Sequence, residues 1–377
     1  MACDMTISNA PSSSPAFVKS RQHALSLNLN HVKTLTDDTG LIQHAIFTVP
    51  NRTEGYSIDD NARALILMVL LDQWDRNHAE KSDPVYREWS SRYLAFLEHA
   101  LNPDNRRFRN FMSYDRRWLE DQGSEDSHGR SLWALGTLLA RSEDAGLKGA
   151  AERLFARALP AATGMHSPRA CAYALLGIHE YLSFAPKDRN AQGIQFALSS
   201  RLLDAYSSNC SAEWKWFENI LAYGNARLSQ ALLLVGTACA DEPMFSAGLE
   251  SLAWLMEAQR CPSGGHFVPI GSEGFHPRGG VKARFDQQPV EAAGAVSACL
   301  DAYRITGDAL WRDRAQSAFD WFLGDNDLQL PLYDAETGGC RDGLHPDRVN
   351  QNQGAESTLS FLTAFAEMRA LQNETTI

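Results

Sequence analysis

The chain has 377 residues, 44% of them hydrophobic and 21% charged, with a formal net charge of −11 at pH 7. That composition describes a soluble globular protein. The acidic excess argues against nucleic acid or an anionic membrane as partner, since both need a basic footprint, and no run of eighteen apolar residues is present to span a bilayer.

In chain order, residues 1–18 are rich in Ser, Pro and Ala and are expected to form a mobile tail. Residues 19–377 are expected to form one domain. The first residues carry no basic n-region and no apolar h-region, so no signal peptide is expected. Hydrophobic periodicity predicts helices over 20–36, 58–77, 84–101, 125–142, 147–160, 167–184, 190–207, 223–240, 243–259, 287–306, 309–324 and 353–371. Pro84 and Pro243 suit first-turn positions. Ser57 before Ile58-Asp59-Asp60 places acids where the helix dipole favours them.

The even-numbered helices are apolar on most faces, as in Ala64 to Leu71 and Leu228 to Val235, which marks buried helices. The odd-numbered ones are amphipathic. Twelve helices alternating in this way predict an all-α fold, an (α/α)6 barrel with six inner and six outer helices. Long loops rich in aromatics and glycine lead into the inner helices over 108–118, 264–285 and 333–352. Pieces such as Phe267 to Ile270 are β-prone and suit short hairpins at the rim.

Each inner helix opens on a polar cluster. If all six start at one end, the clusters share a cavity. Asp59 and Asp60 sit side by side with Tyr56, Asn61 and Arg63. Capping alone would explain the two acids, but not the aromatic, the amide and the arginine beside them. The second cluster holds Asp126, His128 and Arg130. A lone histidine is more often a satisfied core residue, and Arg130 suits an ion-pair network that keeps a carboxylate charged. Glu218 follows Trp214, Trp216 and Phe217, and at least one of these rings is expected to face the cleft; Trp118 ends another aromatic stretch. Asn225 and Arg227 open the helix after it. Asp286-Gln287-Gln288 with Glu291, and Asn352-Gln353 with Glu356, combine amides and an acid at helix starts. Amides both donate and accept, as sugar hydroxyls do. Glu291 and Glu356, one turn inside their helices, suit general acid work if burial raises their pKa.

No nucleotide-binding glycine motif, zinc-binding histidine pattern or nucleophile elbow occurs. The seven cysteines are odd in number and include no C-x-x-C pair. No metal, cofactor or disulfide framework is therefore expected, and a reducing cytoplasm is the simplest compartment.

Several motifs resemble a bacterial helical-toroid family often labelled glycosyltransferase-like, some members of which lie near enzymes of β-mannoside metabolism. They are Leu35 to His44 with Asp38 and Gln43, Gly55 to Ala64, Gly123 to Arg130, Phe285 to Ala292, and Asn352 to Thr358. More distantly, the architecture is similar to (α/α)6-barrel glycoside hydrolases, among which bacterial α-1,6-mannanases use an adjacent Asp-Asp pair. Asp59-Asp60 is the local match. No nucleotide-sugar domain is recognisable, so the transferase label does not carry over.

These readings converge on a glycoside hydrolase acting on an oligosaccharide such as a mannoside, with its carboxylates drawn from Asp59, Asp60, Asp126 and Glu291. A sugar epimerase or isomerase would need histidine bases, for which only His128 and His166 are placed. A polysaccharide lyase and a non-catalytic sugar-binding module are the remaining alternatives. The amides and aromatics lead one to expect a neutral substrate. An anionic one would instead need arginines such as Arg63, Arg130 and Arg227.

Overall fold

The computed structural model describes residues 25–79 and 81–374. Residues 1–24 lie outside it, and with them the expected tail and the start of the first expected helix. Among the described residues there are twelve α-helices: α1 (Asn30–Leu35), α2 (Ile58–His78), α3 (Pro84–Ala100), α4 (Glu125–Arg141), α5 (Ala145–Ala158), α6 (Pro168–Phe184), α7 (Arg189–Asn209), α8 (Asn225–Cys239), α9 (Glu242–Ala258), α10 (Pro289–Thr306), α11 (Ala309–Phe322) and α12 (Ala355–Glu374).

The even-numbered helices pack side by side in the order α2, α4, α6, α8, α10, α12 and back to α2. The odd-numbered ones lie outside them, α3, α5, α7, α9 and α11 each against the inner helix before it and α1 against α12. The fold is therefore the expected (α/α)6 barrel. The physical reason is visible in the inner helices, which bury nearly every face, whereas each outer helix buries one stripe. The first helix is far shorter than periodicity suggests, since 25–29 are not helical.

Helix ends separate two kinds of terminus. Five outer helices start on an aspartate cap, Asp83, Asp144, Asp188, Asp241 and Asp308. The inner helices α2, α4 and α6 start on serine caps, Ser57, Ser124 and Ser167. A serine satisfies the first free N–H groups without adding charge, which leaves nearby carboxylates available.

Among the described residues ten short strands form five antiparallel pairs, more sheet than the sequence suggests. Three abut inner helices: β3 (Tyr56–Ser57) runs into α2, β5 (Ile220–Leu221) precedes α8, and β10 (Val349–Asn350) precedes α12. They pair with β4 (Phe111–Met112), β6 (His276–Pro277) and β9 (Gly343–Leu344). Phe267 makes only an isolated bridge, to Arg260. These pairings fix the backbone at the end of the barrel where the inner helices begin.

Candidate active site

Side chains link the inner helix starts around one end of the barrel. Glu356 of α12 accepts from Arg63 of α2 at 2.5 Å. Asp59 of α2 stands 3.5 Å from Arg130 of α4. Asp126 of α4 accepts from the Ser167 hydroxyl, the cap of α6, at 3.2 Å. Arg169 of α6 donates to the carbonyl of Tyr223, just before α8, and Asn225 of α8 donates to Glu291 of α10 at 2.9 Å. Between α10 and α12 the link runs through the intervening loop: Gln287 pairs with Leu344 through the backbone, and the Asp342 carboxylate accepts from Gly354 N at 2.8 Å. The six polar clusters thus occupy one end.

A cavity of about 510 Å³ opens there, lined by Asp59, Asp126, Glu356, Arg63, Arg130 and Tyr223, with Ser124, Glu125 and Ser167. Asp59 and Asp126 hold the same position, two residues beyond a serine cap. Asp60 holds the next, where a capping box places its acid. Accordingly Asp60 is tied up: the Ser57 hydroxyl donates to it at 2.6 Å and Arg63 at 2.9 Å. Asp59 instead points inward, its side chain 23% exposed, and its Oδ1 has no hydrogen-bond partner among the described residues.

Burial pushes the pKa of Asp59 up to about 6; Arg63 opposes this and Glu356 reinforces it. Asp60 also rises to about 6, mainly through burial. Asp126 is raised by burial, partly offset by the hydrogen bond from Tyr223. The Tyr223 hydroxyl donates to its Oδ2 at 3.0 Å while Ser167 holds its Oδ1, so the carboxylate is fixed in orientation. Glu125 accepts from the backbone N–H groups of His166 and Ser167, both at 2.8 Å, and braces the start of α6.

Several expected site residues serve the fold instead. Glu291 accepts from the N–H groups of Gly224 and Asn225 and from the Asn225 amide, which makes it the anchor of the α8 start. Asn225 in turn is bonded to both polar atoms of Ala222. Glu291→Gln is expected to cost about 1–3 kcal/mol, because at least one buried donor loses its acceptor. Thermal unfolding checks this, and the pH profile of any activity should not move.

His128 lies in the core with both ring nitrogens used, Nδ1 accepting from Phe108 N and Nε2 donating to the Ala158 carbonyl. Burial pushes its pKa down to about 3. Neither nitrogen is left for a substrate. Trp214, Trp216 and Phe217 are all buried against one another and Trp254 of the outer helix α9, so none faces the cleft. Trp118 packs on Phe96 and His99 of the outer helix α3.

The amides are spent on loops. Gln287 bridges Trp321, Asp327 and the Arg284 carbonyl. Gln353 joins Thr337 to Asp334, and Asn352 accepts from Phe47 N. Gln43 donates to the Glu54 carbonyl at 2.5 Å. Asp286 faces His345 at 3.6 Å, with Gln288 bonded to it. Asp38 pairs with Arg116 on the exposed surface at 2.7 Å, and Tyr56 donates to Asp37 at 2.6 Å. Glu218 binds Arg169 beside the cavity at 2.5 Å, and that guanidinium also covers the Tyr223 ring.

Conversely, Tyr223 and Ser167 line the cavity, and Tyr173 the space beneath it, although none is among the expected site residues. For Tyr173 the signal was positional. The residue one helical turn after each inward-facing side chain lies directly beneath it, as Arg63, Arg130 and Tyr173 lie beneath Asp59, Asp126 and Arg169.

No protein-family model matches the sequence, and no curated protein is significantly similar to it. Solved structures are similar in fold. A cellobiose 2-epimerase from Bacillus thermoamylovorans B4167 superposes with a TM-score of 0.70 at 11% identity, covering 94% of this chain and 100% of that one. A D-mannose isomerase gives 0.68 at 10%, covering 97% and 100%. A GH76 α-mannanase from Bacteroides thetaiotaomicron gives 0.63 at 10%, covering 96% and 97%. At such identities the likeness establishes the (α/α)6 fold, which these sugar-processing enzymes share.

Proposed function

We propose that the chain is a glycoside hydrolase acting on an oligosaccharide, with Asp59 as general acid and Asp126 as base or nucleophile. The observation that carries the reading is the pair of inward carboxylates on adjacent inner helices, in a cavity whose lining includes no histidine. Two carboxyl groups flanking a glycosidic bond suffice for its hydrolysis. Asp59, protonated up to about pH 6, would give its proton to the leaving oxygen as the C1–O bond breaks. Asp126, aligned by Tyr223 and Ser167, would activate water on the opposite face or attack C1 directly. Glu356 is 45% exposed and ion-paired with Arg63, which suits a charged partner better than a proton donor.

An epimerase or isomerase is the reading that two of the similar structures suggest. It loses support here because His128 is sealed in the core. The test is incubation of the purified protein with a panel of glycosides, mannosides first because a mannanase shares the fold, and with the free sugars. New reducing ends support hydrolysis, whereas interconversion of free sugars without bond cleavage contradicts it. Asp126→Asn is expected to lower turnover by about two orders of magnitude or more, measured on the glycoside that the wild type cleaves.

A further inference from the structure

Below the acids lies a second layer of side chains with a different character. One turn of helix, about 5.4 Å, separates Asp59 from Arg63, Asp126 from Arg130, and Glu356 from Ser360. These lower residues, with Tyr173, Trp133 and Arg227, line a buried pocket of about 50 Å³ that shares Arg63 and Arg130 with the cavity above. That volume exceeds the roughly 10–15 Å³ a single water needs.

The rings and guanidinium groups are stacked. Arg130 lies 4.2 Å over Tyr173, Tyr173 faces Trp133 at 6.3 Å, and Arg227 lies 4.7 Å over Trp133. The three arginines are not equally compensated. Arg63 is bonded to Asp60 and Glu356. Arg227 donates to the neutral Gln230 at 2.7 Å, and the acids Glu367 and Asp301 act on it through space without forming an ion pair among the described residues. Arg130 donates to the Tyr173 hydroxyl at 2.9 Å, and its buried Nε has no hydrogen-bond partner among the described residues. The acid nearest Arg130 is Asp59, at 3.5 Å. When Asp59 carries the proton that a general acid must hold, Arg130 loses its counter-charge. Meanwhile the amides and tryptophans expected to bind neutral rings are engaged elsewhere in the fold.

We infer that this pocket receives the carboxylate of an acidic sugar, so that the substrate class is a uronate-containing glycoside. The inference rests on the hydrolase reading for the position of the scissile bond and for the proton on Asp59, whereas the free Arg130 Nε stands independently of it. A carboxylate would enter the pocket that Arg130 and Arg227 line and meet the free Arg130 Nε, since guanidinium groups bind carboxylates with directed, charge-assisted hydrogen bonds. The floor would supply the counter-charge that a protonated Asp59 no longer gives. A net acidic protein would thus admit an anion at one buried point.

The test is binding, not turnover. Glucuronate, galacturonate and mannuronate are titrated calorimetrically into the full-length protein beside glucose, galactose and mannose. At least one uronate is expected to bind at least ten-fold tighter than its neutral counterpart. That affinity should fall several-fold between about 20 and 200 mM salt, as exposed-to-solvent encounter of charges is screened. Arg227→Gln should abolish the preference and Arg227→Lys should keep part of it, with circular dichroism verifying that both are folded. Equal binding of neutral and acidic sugars overturns the inference, as does binding of no uronate. If Arg227→Gln does not fold, the uronate preference and salt dependence of the unmodified protein decide alone. The hydrolase reading fails separately: a uronate that binds, with no glycoside cleaved or with products absorbing as 4,5-unsaturated sugars, removes hydrolysis and leaves the pocket standing.

Discussion

Asp59→Asn is expected to lower turnover by about two orders of magnitude or more while raising stability at neutral pH. Both effects have one cause. Burial lifts the Asp59 pKa from the ordinary aspartate value to about 6, so the folded state holds this proton more tightly than the unfolded chain does. The native state therefore binds more protons across roughly pH 4 to 6, and stability falls as pH rises through that window. Above it, the folded protein bears the cost of a buried, ionised acid, about 1–3 kcal/mol for a shift of this size. Asparagine keeps the size and removes the charge. The variant should unfold at higher temperature than the wild type at pH 7.5, and the gap should close toward pH 4. Wild-type kcat/KM should decline above about pH 6 as Asp59 ionises, and this limb should vanish in whatever residual activity the variant retains. A wild-type profile flat from pH 5 to 8, or an asparagine variant with full turnover, would remove Asp59 from the chemistry. Stability gained by removing a group that function needs is a common trade in active sites.

Gly136→Val is expected to prevent folding or to cost about 3 kcal/mol or more. On α4, a Cβ at Gly136 would lie 2.1 Å from the carbonyl oxygen of Gly177 on α6, and a Cβ at Gly177 would lie 2.5 Å from the Leu132 carbonyl. Backbone meets backbone here, so no side chain can turn aside, and the two helices would have to separate. These are the helices that carry Asp126 and Ser167, so a milder Gly136→Ala should also disturb the site. Gly149→Ala in α5 is the control, since nothing lies within 4 Å of its added Cβ. There the exchange should gain about 0.5–1 kcal/mol from helix propensity. Chemical denaturation of the three variants separates loss of helix contact from the general effect of adding a methyl group.

The barrel was legible because its signal is repetitive. Ala64 to Leu71 on α2 is apolar all round, and only a helix enclosed on every side can afford that. The site was legible in its acids but not in their division of labour. Asp59 and Asp60 are neighbours with opposite fates, and the capping-box position that assigns Asp60 to Ser57 was readable from Ser57 alone. Asp126 stands two residues after Ser124, as Asp59 does after Ser57, a parallel that only the serine caps reveal. The amide-rich runs misled for a physical reason. Gln287 and Gln353 have the donors and acceptors that bind sugars, and the same atoms close long loops over Trp321, Asp334 and Thr337. Composition cannot distinguish the two uses. His128 has the core role that is commoner for a lone histidine, but its partners, Phe108 N and the Ala158 carbonyl, are distant backbone groups that no motif announces. The tryptophans near 214 failed on packing. They fill the contact with Trp254 on the outer ring, and no periodicity within a loop indicates the direction of that contact.

Asp59 and Asp126 are proposed to act together on a glycosidic bond. Proton NMR of the anomeric region, recorded as the wild type, Asp59→Asn and Asp126→Asn proteins each meet the same glycoside, follows that bond. The wild type is expected to release a product of one anomeric configuration, and both variants to leave the substrate intact over the same interval. A mixture of epimers without cleavage, or undiminished release by either variant, would contradict it.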